Sequence, residues 1–200
     1  MSSAAGAPRW AVARLQTARF VNAGSGPLWR TVTVRGTPLA SPPAQSQGVS
    51  IATSFWTIQG APVDLVHITQ GQRVVVRIAG VSRQGRSTSL VLDDPLAGGF
   101  EIETALGPDD GKGSGEQGSS NGPYSFLGQI NAPLAQESRD DRYVAAMTVE
   151  GGKAFAVAYV ARAVTPGDFY LPGAEAHDMY RPQIYARSAG RRAAITFAGP

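Results

Sequence analysis

The sequence of 200 residues contains no cysteine. It therefore forms no disulfide, no Cys-type metal site and no thiol nucleophile, and nothing ties the chain to an oxidising or a reducing compartment. Charged residues are also scarce, at 16% against about 25% in typical domains. The formal net charge is only +3. No basic stripe is interleaved with aromatic residues, which argues against nucleic-acid binding.

Long apolar segments are missing as well. No run approaches the ~20 residues needed to cross a bilayer, so the sequence predicts no transmembrane segment. Residues 1–18 carry Arg9 and Arg14 among small residues, without a continuous apolar stretch. They therefore do not have the pattern of a signal peptide.

The residues that are abundant are typical of an all-β domain. The chain is 42% hydrophobic and contains 24 Gly and 14 Pro, which favour frequent turns over long helices. Short alternating or β-branched runs bounded by turn residues predict strands at residues 28–36, 49–58, 73–78, 89–95, 98–103, 142–149, 154–162, 167–172, 174–182 and 192–197. Strands at this spacing predict an antiparallel, immunoglobulin-like β-sandwich.

Composition divides the chain into three parts. Residues 1–36 are interpreted as a partial upstream β segment. Residues 37–47 are interpreted as a Pro-rich linker, because proline fixes φ and removes a hydrogen-bond donor. Residues 48–198 form the predicted β-sandwich domain, in which the Gly-rich stretch 107–122 is predicted to be a mobile loop because it offers almost nothing to bury.

Turn residues predict the local connections. Pro172-Gly173 predicts a hairpin between the strands at 167–172 and 174–182, and Gly151-Gly152 predicts a second hairpin between those at 142–149 and 154–162. A turn of helix is expected between Tyr124 and Ala135, limited by Pro133.

No residue constellation indicates catalysis. His67 and His177 lie far apart and lack metal-ligand spacing, so they are interpreted as ordinary strand-edge residues. Asp93 and Asp94 point to opposite faces of a strand, which argues for a turn cap rather than an acid/base pair. The motifs of serine hydrolases, P-loop proteins and dinucleotide-binding proteins are absent. The sequence therefore predicts no enzyme, no cofactor and no metal.

One further cluster is interpreted as structural. The run Arg139-Asp140-Asp141-Arg142 is expected to make local ion pairs before a strand. Exposed pairs of this kind contribute at most about 1 kcal/mol each.

Four separated stretches resemble the C-terminal part of bacterial alpha-2-macroglobulins. They are WTIQGAPVDLVHITQGQRVVV from Trp56, LVLDDPLAGGFEIE from Leu90, RDDRYVAAM from Arg139 and AYVARAVTPGDFYLPGAEAHDMYRPQIYARS from Ala158. Occurring in the family's order over roughly residues 48–198, they resemble the last, tenth macroglobulin-like domain. The strand around Trp29 resembles the end of the preceding segment.

The resemblance implies a role in a periplasmic protease trap. In such proteins an attacking protease cleaves a bait region, and a Cys–Gln thioester then captures the protease covalently. The resemblance further implies that the last domain packs on the thioester domain, and that Met179 and Tyr180 help to keep water from the thioester. From the residues alone, the favoured interpretation is that the pair are strand-end residues of the core.

The sequence departs from the whole-protein pattern in important ways. Lacking cysteine, it has no thioester motif, and it shows no bait region, so it is expected to be the C-terminal piece of a longer inhibitor that cannot trap a protease alone. An alternative is a free-standing adhesion or carbohydrate-binding module. That alternative requires an exposed aromatic platform, for which Trp56 and Tyr170 are the candidates.

Overall fold

A computed structural model describes residues 42–110 and 122–199, together with positions 19, 21–27, 29 and 33. The chain divides into two compact units, Met1–Leu39 and Ala40–Pro200. In the first unit, Asn22 forms a local turn: its Oδ1 accepts from the amide of Gly24 at 3.0 Å, and its Nδ2 donates to the carbonyl of Gly26 at 2.7 Å. Apart from positions 29 and 33, the predicted strand at 28–36 lies outside the described residues, as do the Gly-rich residues 111–121. The predicted division into three parts therefore stays a prediction.

Thirteen strands make up the described part of the second unit. They are β1 (Gln45–Gln47), β2 (Val49–Trp56), β3 (Ile68–Thr69), β4 (Arg73–Ser82), β5 (Thr88–Pro95), β6 (Phe100–Leu106), β7 (Ala135–Ser138), β8 (Arg142–Val149), β9 (Ala154–Ala163), β10 (Gly167–Leu171), β11 (Glu175–Asp178), β12 (Tyr185–Arg187) and β13 (Arg191–Thr196). The expected helical turn is confirmed as one short 3-10 helix, Ser125–Leu127. β1 occupies the last three residues of the predicted linker.

The strands form three sheets. The six-stranded sheet has the order β1-β12-β11-β5-β8-β7, the four-stranded sheet β2-β4-β9-β6 and the three-stranded sheet β10-β13-β3. Every pair is antiparallel except β13 with β3, which is parallel. The predicted all-β, antiparallel sandwich is therefore confirmed.

The core lies between the six-stranded and four-stranded sheets, because each presents alternate apolar residues inward. On β9 the predicted face of Phe155, Val157, Tyr159 and Ala161 is confirmed, since all four belong to the main core. The opposite face of β9 is buried too: Ala158 and Val160 pack with Leu106, Leu127 and Ile130 in a second cluster. The segment around the 3-10 helix therefore covers part of the outer face of the four-stranded sheet.

Both predicted hairpins are wrong. β8 lies in the six-stranded sheet between β5 and β7, whereas β9 lies in the four-stranded sheet between β4 and β6. Likewise β10 pairs with β13, whereas β11 pairs with β5 and β12. The turns at Gly151-Gly152 and Pro172-Gly173 therefore carry the chain from one sheet to another.

The turn at Pro172-Gly173, which carries the chain from β10 to β11, is held by close backbone packing. Ala174 donates its amide to Ser188 Oγ at 2.9 Å, and the amide of Ser188 donates to the carbonyl of Ala174 at 2.8 Å. A Cβ at Gly173 would collide with the carbonyl oxygen of Ser188. Glycine at this position thus permits an approach between two backbones that any larger residue would block.

Candidate functional site

The loop that follows β11 carries Met179 and Tyr180 and is organised by Asp178. The side chain of Asp178 is only 1% exposed. Its Oδ1 accepts hydrogen bonds from the amides of Tyr180 and Arg181, both at 2.9 Å. An aspartate that accepts from amides two and three residues ahead forms an Asx turn, which fixes the backbone as it leaves the strand.

Arg181 closes the same loop from the other side. Its Nε donates to Asp178 Oδ2 at 3.1 Å, and its Nη2 donates to the carbonyl of Ser87 at 3.2 Å. The loop is thereby tied to the end of the β4–β5 connection as well as to its own strand. Arg181 Nη1 is buried and has no hydrogen-bond partner among the described residues.

Backbone bonds complete the frame of the loop. The amide of Met179 donates to the carbonyl of Ser89 at 2.9 Å, and the amide of Ile184 donates to the carbonyl of Arg181 at 2.9 Å. The amide of Asp178 donates to the carbonyl of Ile184 at 3.0 Å. The backbone from Asp178 to Ile184 is therefore held at both ends.

The side chains of the Met-Tyr pair are not part of this frame. Met179 is 54% exposed and Tyr180 is 79% exposed. They are two of the few large apolar residues in the described chain that face solvent. The alternative that they are ordinary strand-end core residues is therefore wrong, because neither contributes to the buried cores.

The electrostatics of the loop favour a charged Asp178. Desolvation by burial is the largest effect and raises the pKa of Asp178, but the hydrogen bonds from Arg181 and from the two backbone amides together outweigh it. The net result is a pKa below the ordinary value of 3.8. The carboxylate is therefore ionised, and the turn is intact, across the neutral range.

The sequence interpretation missed both Asp178 and Arg181. The available signal was the spacing Asp-x-x-Arg directly after a strand, which suits an Asx turn closed by an i,i+3 ion pair. The prediction for this loop depended only on its apolar pair, Met179 and Tyr180.

The two histidines are not brought together. His67 precedes β3 and is exposed, with Nδ1 2.8 Å from Asp64 Oδ2, a contact that lowers the pKa of Asp64. His177 lies on β11, where it pairs with Val91 and Tyr185. Within the described ranges, no group of three or more His, Cys, Asp or Glu residues is placed to hold a metal ion.

Asp93 and Asp94 point to opposite faces of β5, as predicted. Asp93 is partly exposed and pairs with Arg142 at 3.0 Å. Asp94 is only 4% exposed and accepts a 2.7 Å hydrogen bond from the Tyr159 hydroxyl. The prediction of a turn cap is therefore wrong for Asp94, which lies between the two sheets. Desolvation raises the pKa of Asp94 to about 7.

The expected ion pairs at 139–142 form in part. Arg142 contacts Asp141 at 2.8 Å and also reaches Asp93, which lies far away in sequence. Arg139 instead pairs with Glu137 at 2.9 Å. Glu137, Arg139 and Asp141 are exposed, and Asp93 and Arg142 are partly exposed, so the cluster adds little stability.

The two aromatic candidates for a carbohydrate platform lie apart. Trp56 ends β2 in the four-stranded sheet, with its ring 6.0 Å from that of Phe126 and its Nε1 donating to Ser54 Oγ at 3.0 Å. Tyr170 is 46% exposed and lies on β10 in the three-stranded sheet. Because they lie in different sheets and Trp56 is partly covered, these residues do not form one platform.

Comparisons with known protein sequences identify relatives of this chain. The family model described as "Bacterial Alpha-2-macroglobulin MG10 domain" matches residues 48–183. The alpha-2-macroglobulin of Xylella fastidiosa strain Temecula1 is 30% identical over 194 residues, which are 95% of this chain. The chain spans only 12% of that relative's length.

Solved structures give the same result. The native conformation of Escherichia coli alpha-2-macroglobulin matches with a TM-score of 0.69 and 28% identity, over 80% of this chain and 10% of that one. Salmonella alpha-2-macroglobulin reacted with methylamine matches with a TM-score of 0.68 and 28% identity, over the same shares. Among the described residues, no helix is long and apolar enough to serve as a membrane span.

Proposed function

Because the chain belongs to the bacterial alpha-2-macroglobulin family, we propose that its β-sandwich is the C-terminal, tenth macroglobulin-like domain of a periplasmic protease inhibitor. In this proposal the domain is not an enzyme. It packs on a thioester domain of the same or a sister polypeptide, and Met179 and Tyr180 keep water from the thioester. Target proteases are reached only through the full-length inhibitor.

The observation that carries the proposal is the contrast between the Met-Tyr pair and its support. The loop backbone is held by Asp178, Arg181 and Ser89, whereas the side chains of Met179 and Tyr180 project into solvent. A loop with a fixed backbone that exposes two large apolar side chains is suited to docking, because little backbone conformational entropy remains to be lost on contact.

The chemistry of the pair suits the proposed task. A thioester is an activated acyl group, and hydrolysis destroys it. An aromatic ring buries on the order of 150–250 Å², and methionine fills irregular gaps beside it. Together they exclude water from a small reactive group. The 200 residues contain no cysteine, so they supply no thioester themselves, and the domain alone captures no protease.

The test is the substitution Tyr180→Ala in the full-length inhibitor. Without its ring, the thioester is expected to be lost at least about tenfold faster in the absence of protease, since a loss of 1.4 kcal/mol of shielding corresponds to a factor of ten. Methylamine incorporation and the appearance of free thiol measure that loss.

Phe197→Ala is the matched control, because Phe197 is 77% exposed and lies at the end of the chain beyond β13. It is expected to leave the rate of thiol appearance unchanged. If Tyr180→Ala reacts with methylamine no faster than Phe197→Ala, the shielding role is wrong.

A further inference from the structure

The outer face of the four-stranded sheet is covered over only part of its area. The segment around the 3-10 helix places Leu127 and Ile130 on Val75, Ala158 and Val160. Beyond this cover, the ends of β2, β4 and β9 form an open groove of about 440 Å³, a volume within the range of ligand-binding clefts. The groove lies on a different sheet from the Met179–Tyr180 loop.

Small residues form the floor of the groove. Ala52 comes from β2, Ala79 from β4, and Ala154 and Ala156 from β9. At one end Val81 leaves 38% of its surface exposed. Small side chains permit a backbone to approach the sheet closely, so the floor suits an extended polypeptide better than a bulky side chain.

Arg77 supplies the only charge among the described residues that line the groove. Its Nε is buried from solvent and has no hydrogen-bond acceptor among the described residues. A buried donor without a partner is unfavourable, and a charged donor more so. Because the Nε is itself buried, a carboxylate that enters the groove can reach only the two terminal nitrogens of the guanidinium, through charge-assisted hydrogen bonds.

The wall of the groove already shows how its polar groups engage a backbone. The amide of Asn131 donates to the carbonyl of Ala156 at 2.8 Å, and the amide of Ala156 donates to Asn131 Oδ1 at 2.8 Å. Gln129 is next to it and exposed at the rim. The Oδ1 of Asn131 is already engaged by Ala156, whereas the side-chain amide of Gln129 offers both a donor and an acceptor, which is what a peptide group requires.

We propose that this groove, named the Arg77 groove, binds an extended segment of a partner polypeptide that places a carboxylate against Arg77 and small side chains on the alanine floor. The segment is acidic because no described residue of the groove neutralises Arg77. The inference does not depend on the thioester-shielding role of Met179 and Tyr180.

The experiment titrates the ¹⁵N-labelled chain with the blocked peptide acetyl-Ala-Ala-Glu-Ala-Ala-amide and follows the Arg77 Nε–H signal and the amides of residues 50–52, 79–81 and 154–156. The expected result is saturable shifts at these positions. The same peptide with Gln in place of Glu is expected to bind at least about tenfold more weakly, because the charged hydrogen bond is lost.

Two variants separate the groove from general charge effects. Arg77→Gln is expected to weaken binding at least about tenfold, whereas Arg86→Gln, which changes the same charge at an exposed loop position, is expected to leave binding unchanged. Ala52→Phe fills the floor, leaves Arg77 in place and is expected to abolish binding, which keeps the proposal testable if Arg77→Gln does not fold.

Three results overturn the proposal. The first is the absence of saturable shifts at the Arg77 groove with the Glu peptide. The second is an equal response to sodium acetate, which makes the groove a site for small carboxylates. The third is a set of shifts that grows with protein concentration in the absence of peptide, which makes it a contact between two copies of the chain.

Discussion

At the scale of single residues, the proposed docking loop depends on one buried carboxylate. Asp178 satisfies two backbone amides and one guanidinium, and Arg181 extends this network to Ser87. None of these hydrogen bonds comes from the side chain of Met179 or Tyr180. The residues that hold the loop are thus different from Met179 and Tyr180, which are proposed to shield the thioester. Substitutions can therefore test the two roles separately.

Replacing Asp178 with Ala is expected to lower the free energy of unfolding by about 2–4 kcal/mol, because two amides and Arg181 lose their acceptor. Chemical denaturation measures the loss. Hydrogen exchange of the Tyr180 and Arg181 amides is expected to accelerate in the same variant.

Asp178→Asn is the control, because it keeps the Oδ1 acceptor for the amides and removes only the charge. It is expected to be destabilised less than the Ala variant.

Since the pKa of Asp178 is lowered in the folded state, its stabilisation is present above about pH 4 and is lost as pH falls through the folded value. Equal stability of wild type and Asp178→Ala at pH 7 contradicts the assigned role.

At the scale of elements, β9 shows why a strand takes a central position. Seven of its consecutive residues, from Phe155 to Ala161, are buried. Such a strand needs cover on both faces, which the main core provides on one side and the segment containing Leu127 and Ile130 provides on the other. The irregular segment that contains Leu127 and Ile130 therefore covers the outer face of β9, as a third layer of secondary structure would.

The substitution Leu127→Ala tests this cover. Leu127 is only 3% exposed, and removing its side chain is expected to cost about 2–4 kcal/mol in chemical denaturation. Leu134→Ala is the matched control, since Leu134 is 79% exposed and its loss is expected to change stability by less than about 0.5 kcal/mol. Similar effects of the two substitutions contradict the assignment of a second core.

At the scale of the whole molecule, a polar contact joins the two large sheets. Asp94 on β5 accepts from Tyr159 on β9, and the ring of Tyr159 stacks on that of Tyr143 with centroids 4.9 Å apart. Tyr143 in turn donates to Gln136 on β7 at 3.1 Å. Burial raises the pKa of Tyr143 to about 12. Among Asp94, Tyr143 and Tyr159, only Asp94 therefore titrates near neutrality.

Stability is expected to depend on pH through Asp94. Its pKa is raised from 3.8 to about 7 in the folded state, so the folded chain binds the proton more tightly than the unfolded chain. The contribution to stability is full below about pH 4 and is lost as pH rises through 7, with a span of at most about 4 kcal/mol.

Asp94→Asn keeps an acceptor for Tyr159 and removes the charge, so it is expected to remove this slope. The free energies of unfolding of wild type and variant, measured from pH 4 to pH 8, give the difference directly. Glu101→Gln, at an exposed position on β6, serves as a control that keeps the slope. A difference between wild type and Asp94→Asn that does not change with pH contradicts the prediction.

The sequence by itself determined nine of the thirteen described strands, the sandwich class and the family; the short strands β1, β3, β7 and β12 were not predicted. These depend on local sequence patterns and on similarity to known sequences. β8 coincides with the predicted residues 142–149, and β5 and β9 each deviate from the predicted bounds by one residue at one end. The region that the family model matches lies within the predicted domain. It also singled out Met179 and Tyr180, although their role remains a proposal. Alternating apolar side chains and turn residues are patterns that span only a few sequence positions. They can therefore be recognised without knowing which strands become neighbours in the fold.

Only the tertiary structure decided which strands share a sheet and which groups become buried partners. A Gly-Gly or Pro-Gly pair reverses the chain equally well within one sheet or between two, so the sequence pattern alone does not distinguish a hairpin from a crossover between sheets. The same holds for Asp94 and Arg77, whose environments come from Tyr159 and from the open face of the four-stranded sheet, both contributed by segments distant in sequence. Asp178 differs, because its hydrogen-bond partners Tyr180 and Arg181 lie two and three residues ahead in sequence.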